Sequence, residues 1–293
     1  MNVTLQLGEA RIARIEDYLG PSLETKMMFP GFRDAIWEAE KHWLAPTYFM
    51  PGGARLRTSH HSWLVNTPQH TILIDACIGN HKQRTSPHFH MREGPWLDNL
   101  QNAGVAPEQI DVVMCTHLHA DHVGWNTRLR DGRWVPTFPH ARYLFSRTEF
   151  ARWDARRPDY APNAFNENVF ADSVLPVAEA GQMVLIDDGH TIDDLFTVEA
   201  APGHTAGHVR FRLRSWGQEG LFCGDILHHP IQIPYPELCS SFDDDQGRAL
   251  QTRLAMLEDA ADRGVLLMPT HFAEPHRCRV IWNGGRFAIA WDQ

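Results

Sequence analysis

The chain has 293 residues, 43% of them hydrophobic and 22% charged, a balance that supports a substantial buried core and excludes intrinsic disorder. With 36 acidic against 27 basic side chains the net charge is -9, which excludes an overall basic field for a nucleic-acid backbone. No apolar run approaches the roughly 18 residues of a membrane span, and the first residues carry no basic stretch followed by an apolar one, so the expected location is cytoplasmic.

Alternation through Val3, Leu5 and Leu7, then Ala10, Ile12 and Ile15, predicts a strand pair bent at Gly8. Between Pro30 and Pro46 the apolar side chains Phe32, Ile36, Trp37 and Trp43 repeat at helical spacing, which predicts an amphipathic helix serving the core, a homodimer contact or a cover over the pocket. Residues 62–66 and 71–75 flank a short turn and read as paired strands, and Asp75 leaves the second of them. A carboxylate there either caps a loop or orients a metal ligand. Helices are predicted over 95–103, 148–157 and 163–171, and strands over 110–115, 141–145, 183–186, 195–200, 208–213 and 220–223. The clearest helix is 246–263, with Leu250, Leu254 and Leu257 on one face and Gly264 ending it, and strands over 265–268 and 280–282 close the pattern. Neither a short-period repeat nor a low-complexity linker interrupts the chain, so one domain over 1–293 is expected, with a helical insertion around 30–46.

The densest chemistry lies in Thr116-His117-Leu118-His119-Ala120-Asp121-His122, directly after the apolar run Val112, Val113, Met114. His117 and His119, two apart, project to one side of an extended segment, while Asp121 and His122 follow as the chain turns. One loop can therefore supply two adjacent metal ions. Imidazole and carboxylate donors suit zinc and its first-row neighbours, with thiolates missing and oxygens too few for calcium. The five cysteines, Cys77, Cys115, Cys223, Cys239 and Cys278, lack CxxC spacing and indicate neither a disulfide framework nor a cysteine zinc site.

Three further candidates recur in one setting, where an apolar strand ends and a ligand type follows. They are His204 after Pro202-Gly203, Asp225 after Gly224, and His271 after Pro269-Thr270. If their strands share a direction, all seven side chains gather at one edge. With this set the chain resembles the metallo-β-lactamase superfamily, whose HxHxDH signature, later histidine, aspartate and final histidine match His117, His119, Asp121, His122, His204, Asp225 and His271 in order. The resemblance implies an α/β fold of the αββα sandwich type, two mixed sheets face to face with helices outside. It also implies that His117, His119 and His204 hold one metal and Asp121, His122 and His271 the other, with Asp225 bridging.

Two divalent ions, zinc first with manganese, iron or cobalt as alternatives, would share a hydroxide and polarise a carbonyl or phosphoryl oxygen, so hydrolysis is expected. A histidine at 119 departs from the flavodiiron branch. Where the acyl-homoserine lactonases of the family carry a tyrosine, three residues after the bridging aspartate, this chain has His228, as in methyl parathion hydrolase-like members. His228 is therefore expected to contact the developing oxyanion or the leaving group, and Asp121 to shuttle a proton. The expected substrate is a small-molecule ester, a lactone first. Phosphotriester or β-lactam hydrolysis is the alternative on the same site, and an iron-dependent oxidation or a nuclease activity stands further off. His60, His61, His81, His88 and His90 are expected to be exposed polar histidines. Trp125 either lines the site or packs behind it.

Overall fold

The computed structural model describes residues 4–292. Its strands run in chain order β1 (Leu5–Leu7), β2 (Ala10–Glu24), β3 (Arg55–Asn66), β4 (Thr71–Ile74), β5 (Val112–Met114), β6 (Thr127–Arg130), β7 (Arg133–Pro136), β8 (Arg142–Ser146) and β9 (Met183–Ile186). They continue as β10 (Thr191–Ile192), β11 (Phe196–Ala200), β12 (Val209–Ser215), β13 (Gln218–Phe222), β14 (Leu266–Met268), β15 (Cys278–Asn283) and β16 (Arg286–Trp291). The helices are α1 (Thr25–Met28), α2 (Asp34–Leu44), α3 (Trp96–Asn102), α4 (Arg147–Trp153), α5 (Leu175–Glu179) and α6 (Gln246–Arg263).

One sheet has the order β1-β2-β3-β4-β5-β8-β9 and the other β10-β11-β12-β13-β14-β15-β16, while β6 and β7 form a separate hairpin. Side-chain alternation decides which face of each strand meets what. In β4 and β5, Ile72, Ile74, Val112 and Met114 point between the sheets and meet Phe196, Phe211, Phe222 and Met268 of the second sheet. Leu73 and Val113 point the other way, against Trp96 and Leu100 of α3 and Trp153 of α4. On the far side Leu221 and Leu267 pack on Met256, Leu257 and Ala260 of α6. The result is the four-layer αββα sandwich expected from the sequence.

Strand direction then sets where the loops go. β4, β5, β8 and β9 are mutually parallel, so Asp75 and residues 115–122 emerge at one edge. β11 and β13 each pair antiparallel with β12, and β14 pairs parallel with β13, so β11, β13 and β14 also share a direction. Ligand types therefore collect beyond the carboxyl ends of strands from both sheets, the usual place for a site in such sheets. In β3, Trp63 pairs with Ile74, the last residue of β4, so His60, His61 and Ser62 run past the end of β4 to that same edge.

Several elements differ from the sequence expectation. The first strand pair forms as expected with Gly8 at φ 56°, although β2 runs on to Glu24, and Val3 lies outside the described residues. The stretch predicted as a helix over 163–171 is a 3-10 turn (Ala164–Asn166) followed by a π-type turn (Phe170–Val174) leading into α5. The buried face of α6 is Ala249, Arg253, Met256, Leu257 and Ala260, offset from the leucine stripe, because Arg253 turns inward to donate to the carbonyls of Ile226 and Pro236. Among the hairpins that went unpredicted are two with two-residue turns. Asp131-Gly132 between β6 and β7 and Gly284-Gly285 between β15 and β16 have positive φ throughout, the conformation of two-residue hairpin turns. Among the described residues no helix is long and apolar enough to cross a membrane.

Helix α2 turns its apolar side inward, and Ile36 and Leu44 join Phe29, Phe32, Tyr48, Phe49, Leu56, Ile231 and Leu238 in a satellite cluster. His229 is buried beside this cluster, its ring edge-on to Phe49 at 4.8 Å. Ile231 N–H donates to its Nδ1 at 3.2 Å and its Nε2 donates to the Tyr48 carbonyl at 3.1 Å, which selects the neutral ring. Burial pushes its pKa down to about 3. An unfolded histidine binds its proton near 6.5, so below that pH the unfolded chain holds the extra proton and stability falls with acidification. The contribution is complete above 6.5 and is lost by about 3 kcal/mol at pH 4. His229→Gln is expected to lessen the shift in urea midpoint between pH 7 and pH 4.5, measured with chelator present. Equal shifts in the two proteins would contradict this assignment.

Candidate functional site

The segment 115–122 leaves β5 into a turn whose backbone is fastened on both sides. Thr116 N–H donates to Asp75 Oδ1 at 2.8 Å, and Ala76 N–H donates to the His122 carbonyl at 2.6 Å. Asp75 stands at φ 55°, and its Oδ2 lies 2.9 Å from His122 Nδ1. Its carboxylate thus meets both expectations, capping the loop at Thr116 and contacting His122. Gly124 is required here, because a Cβ at that position would meet the Ile78 carbonyl oxygen at 1.8 Å. Trp125 packs behind the site, buried and stacked on Trp96 with ring centroids 5.5 Å apart.

All seven ligand types predicted from the sequence are buried and converge. His117, His119 and His204 form one group whose donor atoms lie within 4.8 Å of one another. His204 Nε2 stands 3.0 Å from His119 Nδ1. Asp225 faces two ways. Its Oδ2 lies 3.4 Å from His204 Nε2 and 3.9 Å from His117 Nε2, and its Oδ1 lies 3.3 Å from His122 Nε2 and 3.1 Å from His271 Nε2. Asp121 adjoins the second pair, with Oδ1 3.8 Å from His122 Nε2 and Oδ2 3.6 Å from His271 Nε2.

The outer nitrogens of these rings are occupied, which turns the inner ones toward a common centre. His204 Nδ1 pairs with Asp243 at 3.0 Å, His271 Nδ1 with the Ser59 carbonyl at 3.0 Å, and His117 Nδ1 contacts Thr116 Oγ1 at 3.1 Å. The inner atoms His117 Nε2, His122 Nε2 and Asp225 Oδ1 are buried without any hydrogen-bond partner. Buried polar atoms are rarely left so, and a convergent set of them fits a bound cation.

Electrostatics separates the two sides. Burial, with neighbouring imidazoles adding to it, pushes His117 and His119 well below the ordinary histidine range, so both are neutral, the form that binds metal. Burial works the same way on His122 and His271, but Asp225 and the other nearby carboxylates outweigh it and raise both. Asp121 and Asp225 are held below the usual carboxylate range, their desolvation overcome by the surrounding histidines.

The sequence expectation of exposed histidines fails at His60 and His61, which are buried in β3, and His88 is half-buried. His60 Nδ1 lies 3.3 Å from Asp121 Oδ2, and His60, Asp121 and His271 make a further group of metal-capable side chains. The missed signal was the run Thr58-Ser59-His60-His61-Ser62, polar residues continuing a strand without a turn residue among them. His228 lies 3.2 Å from Asp225 Oδ2 through Nε2, and neither of its ring nitrogens has a hydrogen-bond partner.

Above these groups opens a cavity of ≈ 540 Å³. His60, His119, Asp121, His204, Asp225, His228 and His271 line it, together with the apolar Leu23, Met27, Met28, Pro87, Phe89, Phe165 and Phe242. Arg55 and Glu24 are its remaining charged side chains. The loop carrying Ser86, Pro87, His88 and Phe89 is therefore a cavity wall rather than an exposed polar loop.

Comparison with known proteins agrees with this geometry. Metallo-beta-lactamase domain-containing protein 1 of Xenopus laevis is 38% identical over 121 residues, 40% of this chain and 44% of that protein. Hydroxyacylglutathione hydrolase of Aeromonas salmonicida (strain A449) is 28% identical over 176 residues, 58% of this chain and 47% of that protein. The chain thus spans less than half the length of these curated relatives. Among solved structures, the hydrolase AbOPH of the beta lactamase superfamily superposes with a TM-score of 0.82 at 26% identity, covering 100% of this chain and 97% of that one. AidC, described as a dizinc quorum-quenching lactonase, shares the fold with a TM-score of 0.80 at 21% identity, again covering 100% and 97%. The family model of the metallo-beta-lactamase superfamily matches residues 55–288, from the start of β3 into β16. With that match, the sandwich and the convergent histidines and aspartates at its edge, the chain belongs to the metallo-beta-lactamase superfamily.

Proposed function

We propose that the chain is a dinuclear hydrolase that opens a small uncharged ester, with a lactone as the substrate class to which the site is best suited. The observation that carries this reading is Asp225, whose two oxygens face separate groups of histidines on the floor of a largely apolar cavity. His117, His119 and His204 would hold one ion and Asp121, His122 and His271 the other, with Asp225 offering an oxygen to each. The donor set, imidazole and carboxylate without thiolate, suits zinc, with manganese, iron or cobalt as alternatives. Bound there, such ions supply a water acidified from about 15.7 toward about 7 and a Lewis acid for the substrate oxygen.

The chain's own residues supply the rest. Phe89, Phe165, Phe242 and Met28 wall the cavity with apolar surface, which excludes water and accepts an uncharged substituent. Asp121 Oδ2, flanked by His60 and His271, is the atom assigned to take a proton and deliver it to the leaving oxygen. His228, whose ring nitrogens make no hydrogen bond among the described residues, is assigned to donate to the substrate oxygen as charge develops on it. A glutathione thioester, the substrate in the Aeromonas relative's name, carries two carboxylates and an ammonium, whereas Arg55 is the cavity's one permanently charged cation among the described residues.

The test is a panel of a lactone, a phosphotriester, a β-lactam and a glutathione thioester, offered to the zinc-loaded protein. The lactone is expected to give the highest kcat/KM. A panel led by the phosphotriester or the β-lactam would replace the ester assignment and keep the two-ion site. On the preferred substrate His228→Ala is expected to lower kcat by about 10²-fold with KM little changed. An unchanged kcat would remove the role given to His228.

A further inference from the structure

A buried carboxylate that the chemistry above does not use lies behind the floor of the cavity. Glu149, at the start of α4, is fully buried and accepts four hydrogen bonds. Oε1 accepts from the backbone N–H of Leu118 at 3.1 Å and from Trp153 Nε1 at 2.6 Å. Oε2 accepts from Thr205 Oγ1 at 2.7 Å and from the backbone N–H of Gly207 at 3.1 Å.

Each donor leads to the same half of the centre. Leu118 sits between His117 and His119, and Thr205 follows His204. Trp153, oriented by Glu149, sets its ring edge-on to His119 with centroids 5.4 Å apart. The loop bearing His204 touches α4 at backbone distance, since a Cβ on Gly207 would meet the Glu149 nitrogen at 2.1 Å. One side chain thus ties two loops of distant origin, one from each sheet. Asp75 by contrast reaches both halves, through His122 Nδ1 at 2.9 Å and Thr270 Oγ1, beside His271, at 3.4 Å, and through the N–H of Thr116, beside His117, at 2.8 Å.

We propose that Glu149 is the positioning residue of the His117, His119 and His204 half of the centre. The inference rests on the two-ion assignment above. A carboxylate is suited to this place because all four contacts are donations to it, two of them from backbone N–H groups that cannot reverse. An amide at 149 keeps one accepting oxygen and turns an NH₂ group on donors at the other position. Alanine leaves the donors buried and unpaired.

Zinc is titrated into the metal-stripped full chain and into Glu149→Gln, Glu149→Ala and Asp75→Asn, and the anomalous signal of each half is measured in zinc-soaked crystals. Affinity is expected to fall about 10–100-fold in Glu149→Ala and less in Glu149→Gln, with occupancy lost from the His117, His119 and His204 half alone. Asp75→Asn, at a residue whose contacts reach both halves, is expected to lower the occupancy of both. Equal loss from both halves, or no loss, in the Glu149 variants overturns the proposal. Should circular dichroism show Glu149→Ala unfolded, Glu149→Gln decides on the same two readings. A wild-type chain that takes up no zinc overturns the two-ion assignment and this inference together. Full zinc in both wild-type halves beside an evenly depleted variant overturns this inference alone.

Discussion

Asp225→Ala is expected to lower kcat by on the order of 10³-fold, about 4 kcal/mol in barrier, and to release most of the bound metal. The residue is buried, and its carboxylate is the negative charge shared by His117, His204 and His228 on one oxygen and His122 and His271 on the other. Removing it leaves clustered imidazoles with less counter-charge, so two cations brought into the same space would repel one another without the group that screens them. Among the described residues no other side chain faces both sets in this way, because Asp121 borders only His122, His271 and His60. Asp225→Asn keeps the shape and one acceptor oxygen but loses the charge, so it should fall between alanine and wild type. Zinc per chain and kcat, measured on the same preparations, check the two parts. Wild-type metal content and wild-type kcat in the alanine variant would refute the bridging role.

Asp172→Ala is expected to destabilise the fold by about 3–5 kcal/mol, the cost of removing one partner from a buried ion pair. Arg84 reaches Asp172 with two parallel bonds of 2.6 and 2.8 Å, and its side chain is wholly buried. Lys82 is buried beside it, bonded to the Asp172 carbonyl at 2.9 Å and to Thr127 Oγ1 at 2.5 Å, with its ammonium 3.6 Å from the centroid of the Trp134 ring. Burial, with the Arg84 charge adding to it, brings the Lys82 pKa down to about 7 against the opposing pull of Asp172. Without the carboxylate, Arg84 remains charged in a site that no longer balances it, and Lys82 is driven toward its neutral form. The consequence reaches the cavity, since Ser86 to Phe89 form its wall a few residues after this anchor. KM is therefore expected to rise more than kcat falls. Urea denaturation gives the stability difference and steady-state kinetics the second effect. A loss below about 1 kcal/mol would show that the pair is not the anchor of this wall.

The parts of the site legible in the sequence are those whose geometry is local. His117 and His119 lie on one side of a short extended segment, so their spacing alone announces a shared ligand role. His204, Asp225 and His271 each follow an apolar strand, and common strand direction does the rest. What stayed hidden depends on long-range contact. The strand bearing His60 starts at Arg55, well before the apolar residues that mark it, and its partner Asp121 belongs to another strand's loop. Glu149 reads as an ordinary helix glutamate, and two of its donors, Thr205 and Gly207, come from the opposite sheet's loops. The wall formed by Ser86 to Phe89 is likewise invisible until Arg84 meets Asp172. The irregular stretch from Ala164 to Val174 departs from a plain helix, and there Asn166 Nδ2 donates to the Leu118 carbonyl at 2.9 Å.

Ester hydrolysis is expected to depend on two ions held by His117, His119, Asp121, His122, His204, Asp225 and His271. Elemental analysis of the purified chain, paired with lactone hydrolysis before chelation, after chelation and after zinc is returned, tests it most directly. Two metal ions per chain are expected, with activity lost on their removal and recovered as the second equivalent of zinc is added. Full hydrolytic activity in protein shown to be free of metal would contradict it.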